Sequence, residues 1–183
     1  MTELERAVAT SIAARRSPVE AVVLEAWQAH QRALYAFART LGRDAGDAED
    51  LVADAFLKLT REVTAGRTPD QIRAWLFRVV ANDAVNRSRR RSVAQRVLVR
   101  LIRSGIEEPA DAPLLRSESS AAVVAALRTL PVASRTALLL AAQGFSGREV
   151  AAAIGRSESA TRTLLSRGRV RLRAEIERSG GES

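Results

Sequence analysis

Residues 146–173 read "SGREVAAAIGRSESATRTLLSRGRVRLR". Ser146 followed three residues later by Glu149 is a capping-box pattern, so a helix opens there. Val150, Ala151 and Ile154 recur on one face, and Gly155 closes the turn. Ser157 then caps a longer helix, "ESATRTLLSRGRVRLRAEIERS". Two helices joined by a short turn containing Gly make the outline of a helix-turn-helix. The small side chains of Ala151, Ala152 and Ala153 permit the close crossing such a unit needs. The outline also fits an ordinary helical hairpin, but the surface of the long helix sharpens the DNA-binding reading. Thr161, Leu164, Leu165, Gly168, Leu172 and Ile176 form an inner stripe. Ser159, Arg162, Thr163, Ser166, Arg169, Val170 and Arg173 lie elsewhere, with Arg167 on the border. Arg forks onto guanine, and Ser and Thr donate or accept at base edges and phosphates. Arg169, Arg171 and Arg173 suit clamps on the DNA backbone.

Upstream, the pattern stays helical. A helix is expected from about Ser119 to Leu130, and Pro131 restarts the chain into "VASRTALLLAAQG", with Gly144 as a C-cap. Before it, "SGIEEPADAPLLRSESS" holds Gly, two Pro and several acids without a period, and reads as a flexible linker over residues 104–118. The expected fold is therefore all-α: two small helical domains, at about residues 19–103 and 119–178, with an N-terminal extension over 1–18 and a tail over 179–183.

In the first domain, Ser17–Pro18 opens a helix in which Val22, Val23, Trp27, Leu34, Phe37 and Leu41 recur. The turn "GRDAGD" follows, with Asp47 as the expected N-cap of "AEDLVADAFLKLTREV". Leu51, Val52, Ala55, Phe56 and Leu59 make the inner stripe of that helix; Asp47, Glu49, Asp50 and Asp54 stand apart from it. Acids favour a helix N-terminus, which accounts for Glu49 and Asp50 better than for Asp54. In "AGRTPDQ", Thr68 is the expected N-cap and Pro69 the first helical residue, with Gln71 completing the box. The helix so begun, "AWLFRVVANDAVNRSRRRS", is apolar at its start and cationic at its end. Residues 93–103 either extend it or form another helix, and residues 3–16 suggest a short helix of their own.

Composition bounds the function. The formal net charge of the 183-residue chain is +8, carried almost wholly by Arg, with Lys58 the one lysine. That balance favours nucleic acid or another anionic partner. There is no Cys and only His30, so thiolate metal sites and Cys nucleophiles are excluded, and no phosphate loop or metal motif is present. No catalytic set, cofactor or metal is expected. No run reaches membrane-spanning length and no signal peptide is recognisable, so a cytoplasmic protein is expected.

Three stretches in order carry a resemblance. "YAFARTLGRDAGDAEDLVADAFLKL" is similar to the acidic "DAEDLvQetFlrl" pattern of bacterial sigma factors of the extracytoplasmic-function type. "AWLFRVVANDAVNRSRRR" resembles their "aWLyrIarN…D..Rrrr", and Ala126–Arg173 their "LP…EIA…gTVksrl.RAr..Lr" region. The chain departs at Asn86 (usually Asp), at Ser159–Ala160–Thr161 (usually Gly–Thr–Val), at Leu164 (commonly Arg) and at Gly168 (usually Ala).

The resemblance implies a protein that binds core RNA polymerase, recognises −35 and −10 promoter elements, and promotes melting without ATP. It places polymerase docking on Asp47, Glu49, Asp50 and Asp54, supported by Phe56 and Leu59. It places −10 recognition on Asn82, Asn86, Arg87, Arg89, Arg90 and Arg91, reached through Trp75, and capture of a flipped base on the loop holding Arg67, Thr68 and Asp70. It places −35 contacts on Arg162, Thr163, Ser166 and Arg167, joined by the outward Ser159, Arg169 and Arg173. An anti-sigma factor is a further partner common in such proteins. An autonomous helix-turn-helix regulator and a polymerase-sequestering protein are the alternatives.

Overall fold

The structure is a computed structural model and describes residues 17–42, 44–99 and 118–180. The expected N-terminal helix at 3–16, most of the linker and the tail end lie outside them. Among the described residues there are seven helices: α1 Pro18–Leu41, α2 Ala45–Thr64, α3 Ile72–Val99, α4 Glu118–Thr129, α5 Val132–Ala142, α6 Gly147–Ile154 and α7 Glu158–Gly180.

Local chemistry sets most boundaries. The Ser17 hydroxyl accepts the Glu20 N–H at 3.2 Å while the Glu20 carboxylate accepts the Ser17 N–H at 3.1 Å. This box satisfies two donors that the first turn leaves orphaned, and Pro18 occupies a position that needs no N–H. The α1–α2 turn is tight. A Cβ on Gly42 would stand 3.2 Å from the Ala38 carbonyl oxygen and 3.3 Å from the Ala48 nitrogen, tighter than ordinary van der Waals contact, so the missing side chain suits the turn.

Two expected starts are corrected. The cap of α2 is Asp44, whose carboxylate accepts the Asp47 N–H at 2.8 Å; Asp47 is the third residue of the helix. In "GRDAGD" either Asp has cap chemistry, and the bond from the Asp47 N–H to the Asp44 carboxylate fixes the earlier one as the cap. The third helix begins at Ile72, three residues after Pro69, and its first bond runs from the Trp75 N–H to the Gln71 carbonyl. Thr68 and Pro69 belong to the loop rather than the helix. The 93–103 question resolves in part: α3 runs on unbroken to Val99.

The first three helices enclose Leu34, Phe37, Leu41, Leu51, Leu59, Leu76, Phe77 and Val80, all buried. Phe37 and Phe77 meet with ring centroids 5.0 Å apart. Burying each large apolar side chain contributes roughly 1.5–3 kcal/mol. Lys58 reaches across from α2 to grip both oxygens of Asp83 on α3, at 2.6 and 2.8 Å.

In the second half, α6 carries the Ser146–Glu149 box and ends on Gly155 at φ +63°, a left-handed conformation that favours Gly. Val150, Ala151, Ala153 and Ile154 are buried, which seats α6 closely on its neighbours. A Cβ on Gly168 of α7 would stand 3.2 Å from Leu138 of α5, so the missing side chain lets those helices approach.

The halves are not separate in space. Phe145, in the α5–α6 turn, lies 6.2 Å from Phe77 between ring centroids. Arg73 stacks over Phe77 at 5.1 Å and donates to the Gln143 side chain at 2.7 Å. Arg89 donates to the Ile154 carbonyl at 3.0 Å. One apolar cluster therefore runs through both halves across α3.

Candidate nucleic-acid interface

On α7, the Ser157 hydroxyl accepts the Ala160 N–H at 3.3 Å, capping the recognition-helix candidate as expected. Thr161 and Gly168 are buried, whereas Ser159, Arg162, Thr163, Ser166, Arg167, Arg169, Val170 and Arg173 are exposed. Arg162, Ser166, Arg169 and Arg173 follow at four, three and four residues and share one stripe. The structure brings the expected −35 residues onto one open face of a capped helix. The helix N-terminus adds partial positive charge. Exposed Arg and hydroxyl groups there can donate to phosphates and base edges.

The second surface lies on α3. Its inward face is Leu76, Phe77, Val80, Ala81, Ala84 and Val85, all buried. Asn82 and Asn86 lie together on the outer side, with the Asn86 amide donating to Asn82 at 3.3 Å. Trp75 is half-buried at the inner end; Arg89 and Arg90 are exposed. The α2–α3 loop places Thr68 and Asp70 in solvent. Arg67 pairs with Glu62 through two bonds, at 2.8 and 3.1 Å. The hydrogen bond from Arg67 holds the Glu62 carboxyl below the ordinary carboxylate range, with charge attraction adding to it.

The acidic side of α2 joins this surface. Arg87 donates to Asp54 at 2.6 Å and to Asp47 at 3.4 Å, and lies 4.0 Å from Asp50. Arg91 donates to both oxygens of Asp47 at 2.7 and 2.8 Å. Sequence reading kept these groups apart, because 33 to 44 residues separate the partners. Side-chain exposure is 15% for Asp47, 75% for Asp50 and 48% for Asp54. Asp47 is engaged internally, while Asp50 and Asp54 also face outward.

Phe56 and Leu59 are core residues, buried at 6% and 0% exposure. They can support the face but present little surface to a partner. Leu57, 55% exposed, is an apolar side chain that shows on this side; Trp27, 39% exposed on α1, packs on Phe56 with centroids 4.8 Å apart. Leu57 stands seven residues after Asp50 and three after Asp54, so helical spacing alone could have marked it. Among the described residues no cluster of metal-ligating side chains occurs, and no helix is long and apolar enough to cross a membrane.

A capped helix-turn-helix, a second cationic helix and an adjoining acidic face define an all-helical protein built to meet DNA and another protein. Residues 26–94 match the Sigma-70 region 2 family and residues 120–172 the Sigma-70 region 4 family. The chain is 30% identical over 144 residues to the ECF RNA polymerase sigma factor SigM of Mycobacterium tuberculosis, covering 78% of this chain and 71% of that one. It is also 30% identical over 158 residues to the RNA polymerase sigma factor NccH of Alcaligenes xylosoxydans xylosoxydans, covering 83% and 85%. The sigma factor RpoE of Bartonella quintana, solved with the anti-sigma factor NepR, superposes with a TM-score of 0.57 at 30% identity, covering 80% of this chain and 91% of that one. The chain belongs to the extracytoplasmic-function sigma factors of RNA polymerase. It is accordingly a protein that binds core RNA polymerase and promoter DNA, and the regulator acting without polymerase is not favoured.

Proposed function

We propose that the two cationic surfaces hold two separated promoter elements while the acidic face of α2 docks the polymerase. The observation that carries this is the split between surfaces: the open stripe of α7 lies on one half, the cationic end of α3 and the acids of α2 on the other. The division falls at residues 19–103 and 119–178. Asp50 and Asp54 meet a basic polymerase surface, and Leu57 and Trp27 supply its apolar contact. Phe56 and Leu59 hold that face in shape from beneath. Asn82 and Asn86 read the −10 element; Arg87, Arg89, Arg90 and Arg91 grip its phosphates. The loop at Arg67, Thr68 and Asp70 receives an unstacked base, whose removal from the stack costs a few kcal/mol that backbone contacts offset. Ser159, Arg162, Thr163, Ser166 and Arg167 read the −35 element, with Arg169 and Arg173 on its phosphates.

No catalysis by this chain is needed, since binding energy opens the strands. The protein works in the cytoplasm beside the polymerase. An anti-sigma partner is part of the proposal, supported by the solved relative held in such a complex. Permanganate footprinting with core polymerase and promoter DNA tests the whole. Reactive thymines should appear near −10 only with both proteins present. Protection of duplex DNA by the chain alone, or core binding with no opening, would overturn it.

A further inference from the structure

The residues assigned to polymerase and those assigned to −10 DNA hold each other in the free protein. We propose that docking of polymerase frees Arg87 for DNA, by taking up the outward carboxylates that otherwise neutralise it. This rests on the reading of the two faces given above.

Three carboxylates surround the Arg87 guanidinium: Asp54 at 2.6 Å, Asp47 at 3.4 Å and Asp50 at 4.0 Å. Arg91 adds a second cation on Asp47. A guanidinium so occupied has few donors left for a phosphate. Asp47 is mostly covered, but Asp54 and Asp50 open outward, where a basic partner can reach them. A partner cation that takes Asp54 and Asp50 removes two of the three anions beside Arg87. Its remaining carboxylate, Asp47, is already shared with Arg91. Polymerase binding then raises the affinity of the α3 surface for DNA, and by linkage DNA strengthens the docking.

The test uses the full chain and a labelled, mixed-sequence single-stranded oligonucleotide, first without polymerase. Asp54→Asn and Asp47→Asn should each tighten binding by about three- to tenfold at low salt. The dependence of log K on log salt should steepen by about 0.7 per arginine freed. Glu25→Gln makes the same charge change on the exposed side of α1 without touching either ion pair, and should gain less and keep the parent slope. Adding Arg87→Ala to Asp54→Asn should erase the gain. Thermal unfolding by circular dichroism identifies variants that have lost the fold. Asp54, half-exposed, carries the test if Asp47→Asn proves unstable.

Aspartate variants that bind like Glu25→Gln would overturn the coupling and leave the pairs as struts between α2 and α3. Arg87→Ala in the holoenzyme separates the two failures. If it weakens −10 binding there while Asp54→Asn gains nothing in the free chain, only the coupling falls. If it leaves holoenzyme binding unchanged, the assignment of Arg87 to DNA falls first.

Discussion

At the scale of single residues, the caps of the helix-turn-helix carry a pH signature. The Glu149 carboxyl lies below its ordinary range because the Ser146 hydroxyl and then the Ser146 backbone donate to it, with Arg78 adding a weaker attraction. An unfolded Glu titrates near about 4.3. The box therefore stabilises the fold fully above that value, and its contribution is lost as pH falls through the lower folded value. Between pH 7 and about pH 3, a window that passes below the unfolded value, the unfolding midpoint of Glu149→Gln should fall less than that of the parent. Parallel curves would show that the box adds no pH dependence. Ser146 and Glu149 could be paired from spacing alone, because a capping box is local. The choice between Asp44 and Asp47 could not, since either has cap chemistry and the bond from the Asp47 N–H to the Asp44 carboxylate decides it. Base reading is likewise a one-residue matter. Arg162→Ala should reduce discrimination for the −35 element by about 1–3 kcal/mol if its fork spans a guanine. Competition binding with matched and scrambled DNA decides it; equal losses on both would reduce Arg162 to a phosphate contact.

At the scale of elements, periodicity marked α2 and α7 well, because each has one apolar stripe and one polar face. Leu51, Val52, Ala55, Phe56 and Leu59 are all buried, and the outward residues of α7 are all exposed. It misjudged the start of α3, where Thr68–Pro69 has the chemistry of a helix opening but lies in the loop. It also missed that α3 touches both halves, so that apolar groups cover more than one of its sides. The α1–α2 turn offers a direct test of element packing. Gly42→Ala would drive a Cβ against backbone atoms of both helices, at 3.2 and 3.3 Å, and backbone cannot rotate away. The substitution should cost about 1–3 kcal/mol, read from urea unfolding at constant slope. A neutral result would mean that the turn relaxes without disturbing the acidic face that follows it.

For the whole molecule, the contacts across α3 set a geometric problem. The −35 and −10 elements are about 25 base pairs apart, or about 85 Å of duplex at about 3.4 Å per step. A compact chain of 183 residues has a radius of gyration of about 16 Å. With Phe145 beside Phe77 and Arg89 on the Ile154 carbonyl, the halves are joined, and the two surfaces proposed to bind DNA have to separate to reach both elements. None of this could be read from the sequence, where Phe77 and Phe145 are simply apolar residues of separate segments. The closed contact joins an aromatic pair, the Arg73–Gln143 bond, the Arg89 bond and a bond from Arg128 to the Arg39 carbonyl at 3.4 Å, beside the apolar cluster shared by both halves. The half-buried Phe145 alone contributes on the order of 1–2 kcal/mol, and polymerase must offset the whole contact to hold each half separately. The chain has no Cys, so Glu25→Cys and Glu177→Cys create unique labelling sites on the exposed sides of α1 and α7. Energy transfer between them should be high in the free protein and fall when saturating core polymerase is added. Phe145→Ala should lower it in the free protein, without polymerase. Transfer that stays high on polymerase, with promoter opening intact, would mean that the closed arrangement itself serves both elements.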